Sequence, residues 1–421
     1  MFSKKTYETG MILAITGLYF FSFFQRVAVP GPIFNDIQSE FLISASGVTA
    51  LSAIYLFVYA AMQPFAGYLA DRFGGIRVVL LSGVLLCLGS ILFPLSGGVW
   101  SLYLSRALVG VGASTMYLCL VKETDHYFGG KNFAMIFGLL CLLGYAGGLA
   151  GTRPFRLLVE NIGWRNSCMA VGIATCCVLL AAWALKCKVN RKDEIIKTNH
   201  IFNSMATVFK NRLNYPLLVT IPLCFSIYFS LQAIIGQKFL EDFCGITAIA
   251  SANYTFMMML FTMSGMFLSG FISRMLGNKR KCFIIFNAVA TMLAMLLLLC
   301  GIILKLPAYF FFIPFLLSAS AAGCTPVNAT FMKEINPPGN VAISIGIFNT
   351  VVYIMVAVIS KLTGQVMDFF KGSAIITAKS TIYPSSAYIT LFGIMLAISV
   401  LAFVSSLYCR ETNGNNICTT I

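Results

Sequence analysis

Gly67-Tyr-Leu-Ala-Asp71-Arg72-Phe-Gly74-Gly75-Ile-Arg77 lies between two long apolar runs. A short, basic, glycine-rich stretch in that setting reads as a tight turn joining two helices, because glycine permits turns and close backbone approach. A related stretch recurs later as Gly270-Phe-Ile-Ser-Arg274-Met-Leu-Gly277-Asn-Lys279-Arg280. A constant offset of 203 pairs Gly67 with Gly270, Gly74 with Gly277 and Arg77 with Arg280. Each copy follows the second apolar run of its half, so the chain reads as two repeats.

Outward from these turns the sequence is almost continuously apolar. Of 421 residues, 59% are hydrophobic and 10% charged, against about 45–50% and about 25% in soluble domains. A soluble enzyme of this length needs more polar surface, so the composition points to a membrane protein. A bilayer core of about 30 Å takes about 20 apolar residues per helix. Twelve runs qualify, at 10–34, 46–70, 76–97, 99–121, 132–155, 164–186, 213–238, 247–273, 282–304, 308–331, 340–365 and 385–408. The expected fold is therefore all-α, with twelve membrane helices in two pseudo-symmetric bundles of six. Residues 1–186 form the first bundle, 187–212 a polar linker, 213–408 the second bundle and 409–421 a tail. Parallel six-helix repeats are a known transporter plan.

The net charge of +15 on a soluble chain would suggest nucleic acid. Its distribution says otherwise. The side holding both termini and the linker carries 19 of the 29 Lys and Arg, and the other side carries 7. Under the positive-inside rule both termini and the linker are cytoplasmic, and the excess is a topology signal rather than a nucleic-acid footprint. Most of the 14 cysteines lie in apolar runs without metal-ligand spacing, and the two histidines, His126 and His200, read as loop residues. No metal and no cofactor is expected.

The Gly67–Arg77 turn resembles the signature between spans two and three of the major facilitator superfamily, G-x-L-x-D-R-x-G-x-x-R/K. Gly67, Leu69, Asp71, Arg72, Gly74 and Arg77 match it. The resemblance implies that Gly67, Asp71, Arg72, Gly74 and Arg77 act as a conformational latch between the halves. The second copy has Arg274 in place of Asp71, so it lacks that carboxylate. Arg106-Ala-Leu-Val-Gly110-Val-Gly112-Ala113 is similar to an arginine–glycine element of the family's fourth span. The glycine face of span five, Gly144, Gly147, Gly148 and Gly151, has Tyr145 where the family's antiporter motif has proline. It is read as helix packing, which small residues favour in lipid. Phe24 to Pro30 is similar to the organophosphate and sugar-phosphate permease branches.

Charges inside spans are costly and mark pathways. Arg26 on span one and Arg106 on span four both lie about 6 Å outward of their midpoints at 1.5 Å per residue. The resemblance places both spans on a central cavity, where two guanidiniums suit a carboxylate or phosphate. Gln25, Tyr228, Gln232, Asn328 and Asn349 are the further candidates for substrate binding. None of the 14 acids falls at mid-span in this reading, which disfavours cationic substrates and carboxylate-gated proton symport. The expectation is a monomeric, multi-pass protein of a bacterial inner membrane. It would move a small organic anion or zwitterion by alternating access, with amino acids or small peptides as the alternative solutes. A transporter-like sensor that binds without transport is the reading from another class. An enzyme is not expected, because no nucleophile–base pair or phosphate-cradling loop is present.

Overall fold

A computed structural model of the chain describes residues 4–128, 133–187, 208–337, 341–377 and 380–418. The linker cations of 188–207, His200 and Lys131 lie outside them, as do the side chains of Gly67 and Asp71. Among the described residues the fold is all-α apart from one hairpin of two-residue strands, β1 (Ile375–Ile376) with β2 (Thr381–Ile382). Among the described residues, eleven helices are long and apolar enough to cross a membrane, or twelve when the bent pair of Ile136–Ala150 and Arg153–Ile162 counts as one span.

Two compact units are present. One comprises residues 1–33 and 54–199, the other 34–53 and 200–421. Residues 34–53 thus group with the second unit, although they lie in the first half of the sequence.

The first unit is built from α1 (Lys4–Ala28), most of α3 (Ala45–Phe73), α4 (Gly75–Leu92), α5 (Val99–Ser114), α6 (Met116–Phe128), α7 (Phe133–Ala150), α8 (Arg153–Ile162) and α9 (Trp164–Lys186). The short α2 (Phe34–Phe41) belongs to the second unit. In the first unit α1 packs on α7 and α9, and α4 packs on α5 and α9. Glycine makes these approaches possible. A Cβ on Gly110 would stand 2.7 Å from the Tyr55 carbonyl, and one on Gly89 would stand 2.6 Å from the Ser105 carbonyl. Gly144 and Gly147 of α7 lie against Tyr19 and the Phe20 carbonyl of α1, so the glycine face of span five is a packing seam. Span five itself departs from the expected 132–155. Its helix stops at Ala150, and α8 leaves at a bend of 42°. Pro154 near the start of α8 suits a helix beginning, where no N–H is needed. Arg153 and Arg156 therefore belong to a separate amphipathic helix, and Arg156 donates to the Pro32 carbonyl at 2.8 Å.

The second unit contains α10 (Asn214–Ala233), α11 (Gly236–Cys244), α12 (Ala248–Met275), α13 (Lys281–Ile303), α14 (Phe312–Gly323), α15 (Thr325–Ile335), α16 (Val341–Phe369) and α17 (Ser385–Leu407). Span seven was expected to run to 238, but α10 ends at Ala233 and α11 starts a new direction. This break places Lys238 in a fully buried ion pair with Asp242 at 2.6 Å. Lys238 also donates to the Thr381 carbonyl at 2.6 Å. Asp242 accepts from the Tyr383 N–H at 3.0 Å and the Tyr388 hydroxyl at 2.7 Å. Burial raises the Asp242 carboxyl above its ordinary range, and the Lys238 ammonium works against that rise. Residues 34–53 are tied to this same unit. Asn35 donates to Glu241 at 2.7 Å and Gln38 to the Tyr383 hydroxyl at 3.0 Å. Asp368 of α16 caps the start of α3 through the Ala45 and Ser46 N–H groups at 2.8 and 3.2 Å, and also accepts from the Ser46 hydroxyl. These donors would otherwise be orphans of the helix start.

The repeat read from the sequence has a backbone counterpart. Gly74 and Gly277, 203 residues apart, both have positive φ, at 84° and 70°. Each lies at the turn before the next long helix.

Two outcomes test this packing. Gly112→Ala places a Cβ 2.7 Å from the Ser82 carbonyl, whereas a Cβ on Gly393 meets nothing within 4 Å. Overpacking costs about 1–3 kcal/mol, so thermal unfolding in detergent should show a lowered midpoint for Gly112→Ala and not for Gly393→Ala. Equal midpoints would contradict the seam. Second, Lys238→Met leaves Asp242 buried alone and should cost about 3–5 kcal/mol. The double variant Lys238→Met/Asp242→Asn should recover most of that loss, and a double variant as unstable as the single would contradict the pairing.

Candidate functional site

The first unit brings the two predicted arginines onto one tyrosine. Arg26, near the end of α1, is buried, and its Nε lies 3.5 Å from the Tyr55 hydroxyl. Its guanidinium also faces the Phe23 and Tyr59 rings, each at 4.6 Å. Arg106 of α5 is 1% exposed, and its guanidinium stands 4.6 Å over the Tyr55 ring. Arg106 Nη1 donates to the Gln25 carbonyl at 3.1 Å. The Gln25 side chain donates to the Ser90 hydroxyl of α4 at 3.1 Å. Aromatic faces carry negative quadrupole density and stabilise a cation where water is absent. Phe23 and Tyr59 give the buried Arg26 guanidinium aromatic neighbours in place of water. Arg106, tied to a backbone carbonyl, also links α5 to α1.

Tyr55 is the member that sequence reasoning missed. A lone tyrosine in an apolar run reads as core, and nothing local distinguishes it. Its helical spacing to Tyr59 was the available signal, since residues four apart share a face. The two rings stack at 6.1 Å between centroids.

The other candidates lie in the second unit. Gln232, buried at the end of α10, donates to the Thr255 carbonyl at 3.1 Å. Gln237, which sequence reasoning did not single out, donates to the Thr255 hydroxyl at 2.9 Å. That hydroxyl in turn donates to Ala252, which fixes both glutamine amides with their nitrogens toward Thr255. The buried amide oxygens, Oε1 of Gln232 and of Gln237, have no hydrogen-bond partner among the described residues. The Asn328 Oδ1 on α15 is in the same condition. Buried acceptors without donors are costly. Tyr228 accepts from Thr262 at 3.3 Å and packs on Phe225. Asn349 is half-buried on α16.

At the glycine-rich turn, Gly74 and Gly75 are buried, whereas Arg72 and Arg77 are exposed. Arg72 donates to the Tyr68 hydroxyl at 2.5 Å. Two neighbours from α6 hold the turn. Lys122 donates to the Ala70 carbonyl at 2.7 Å, and the carboxylate of fully buried Glu123 lies against Gly75. Glu123 had been placed beyond a span ending at 121. The helix instead continues to Phe128 and takes in both Glu123 and His126. In the second copy of the turn, Arg280 is buried, and its Nη2 and Nε donate to Glu334 at 2.9 and 3.2 Å. The acids are thus not all surface groups, since Glu123, Asp242 and Glu334 are each enclosed by protein near helix ends.

Comparison with known proteins bears on this arrangement. The chain is 30% identical over 144 residues to human monocarboxylate transporter 7, covering 34% of this chain and 27% of that protein. It is 24% identical over 165 residues to a probable sulfoacetate transporter of Cupriavidus necator, covering 38% of each. The chain therefore spans less than half the length of these curated relatives. Among solved structures, a bacterial homolog of the human lysosomal transporter Spinster superposes with a TM-score of 0.76 at 17% identity, covering 96% of both chains. That likeness shows the fold. The sequence pattern of the Major Facilitator Superfamily matches residues 15–360. With the repeated turn, the long apolar helices and that match in place, this multi-pass membrane protein belongs to the Major Facilitator Superfamily.

Proposed function

We propose that the chain moves a small organic anion or zwitterion across a bacterial inner membrane by alternating access. The observation that carries this reading is the pair of buried guanidiniums gathered on Tyr55. A buried guanidinium beside the Phe23 and Tyr59 rings carries the planar geometry that suits a carboxylate or phosphate. Relatives named for monocarboxylates and for sulfoacetate support a carboxylate over an organic phosphate. Gln25 and Arg106 position the α1–α5 contact behind Arg26. The charge bias of the loops supports cytoplasmic termini, and the protein acts as a monomer. Asp71, Arg72 and Arg77, with the Gly67 and Gly74 backbone, serve as the latch that the family resemblance implies.

The second reading is an amino acid or small peptide. The partnerless amide oxygens of Gln232 and Asn328 favour it, because they suit an ammonium donor. Tyr228 and Asn349 would complete the polar lining there.

Uptake into proteoliposomes tests both. Labelled lactate, sulfoacetate, glycerol 3-phosphate and alanine are offered to the wild type and to Arg26→Ala. At least one of these solutes should accumulate above empty liposomes. Arg26→Ala should cut that flux about tenfold or more, because a charge-assisted hydrogen bond contributes about 1.5–3 kcal/mol. Unchanged flux in Arg26→Ala would sink the clamp. Saturable binding with no flux would instead make the protein a sensor.

A further inference from the structure

The tail beyond α17 is docked along the second unit, at the end where the linker enters. Glu411 accepts from the Arg280 N–H at 2.7 Å and the Lys281 N–H at 3.0 Å. It therefore supplies the cap that the start of α13 lacks from its own side chains. A carboxylate at a helix N-terminus also meets the positive end of the helix dipole. The Thr412 hydroxyl is 2% exposed and donates to the Glu334 carboxylate at 2.5 Å. Gly414 packs against Asn278. The Ile417 N–H donates to the Glu334 carbonyl at 2.9 Å. Asn416 donates to the Asn336 carbonyl at 2.9 Å and to the Lys333 carbonyl at 3.2 Å.

Asn336 is also where the linker ends. It is fully buried. Its side chain exchanges reciprocal amide hydrogen bonds with Asn214, both at 2.9 Å. Asn211 donates to the neighbouring Ile335 carbonyl at 2.7 Å, and Asn214 donates back to the Val208 carbonyl at 2.8 Å. Asn211 near the end of the linker, Asn214 at the start of α10 and the tail thus converge on Asn336 after α15. The tail holds the backbone of Asn336, and the linker end holds its side chain.

We propose that residues 410–418 are a strap which, through the shared anchor Asn336, fixes the end of the linker to the second unit. Two features make this more than a tidy chain end. The second copy of the repeat carries Arg274 where the first carries Asp71, and the strap brings a carboxylate, Glu411, to that turn from elsewhere in the chain. The linker is also the covalent connection between the two halves, so its attachment point is where the state of the tail can reach the connection. Buried amide networks bind strongly when each member is satisfied and loosen together when one is withdrawn.

Hydrogen–deuterium exchange on the purified full-length protein in nanodiscs tests the coupling. Glu411→Ala/Thr412→Val removes strap contacts that touch neither Asn211 nor Asn214. Amides in 278–284 should exchange several-fold faster, and so should those in 208–216. Glu411→Asp, which keeps the carboxylate, should restore both. Faster exchange at 278–284 with unchanged exchange at 208–216 would overturn the proposal, and so would no change in either segment. If the double variant fails to fold, Asn416→Ala gives the same decision. It cuts the tail from Asn336, and linker exchange as slow as wild type would again overturn the proposal. The readout needs no transported solute, so it stands or falls apart from the substrate assignment.

Discussion

Hydrocarbon does not solvate charge, and this constraint orders the molecule. A charged side chain within a span needs partners or must lie along a pathway. Arg26 and Arg106 meet that demand through aromatic faces, a tyrosine hydroxyl and a backbone carbonyl. Charge buried in protein beyond the span ends carries a similar cost, which Lys238 meets through a carboxylate and a carbonyl at a helix break. Arg280 meets it through Glu334 and Ser273. Each solution uses residues from more than one element, so the charges that lipid excludes also serve to register those elements on one another.

The same solvent leaves little hydrophobic force between helices, so association depends on close packing. Glycine supplies it at the α1–α7 and α4–α5 seams, where backbone meets backbone or ring. Helix breaks then aim polar groups. The turn after Ala233 places Gln237 and Lys238 on a new axis, and the bend after Ala150 carries Arg153 and Arg156 away from the span. Broken helices at polar sites are a recurrent device of transporters. Here they account for the misjudged ends of spans five and seven.

The spans were legible because bilayer thickness and apolar length are linked so directly. The repeat was legible because a turn with positive φ selects glycine, as at Gly74 and Gly277. The end of span seven was not, because Ile234 and Ile235 at its break are as apolar as the helix before them. The end of span five did carry a signal in Pro154, though the apolar run obscured it. Arg26 and Arg106 stood out as rare charges, whereas Tyr55, which unites them, looked like any core aromatic. Glu123 was missed through a span drawn seven residues short. The tail residues Glu411 to Ile417 were invisible as a structure, since their partners lie some 75 to 135 residues away in the chain and polar composition alone reads as solvated.

The proposed clamp requires that Arg26, a buried cation of the first unit, select an anionic group. Ligands that bind the folded state raise its unfolding midpoint, so a thermal-shift panel of organic carboxylates, organic phosphates, amino acids and cationic amines on purified protein tests it most directly. A concentration-dependent rise is expected with at least one carboxylate-bearing or phosphate-bearing solute, lost in Arg26→Ala. A rise confined to cationic amines, or one that Arg26→Ala leaves intact, would contradict it.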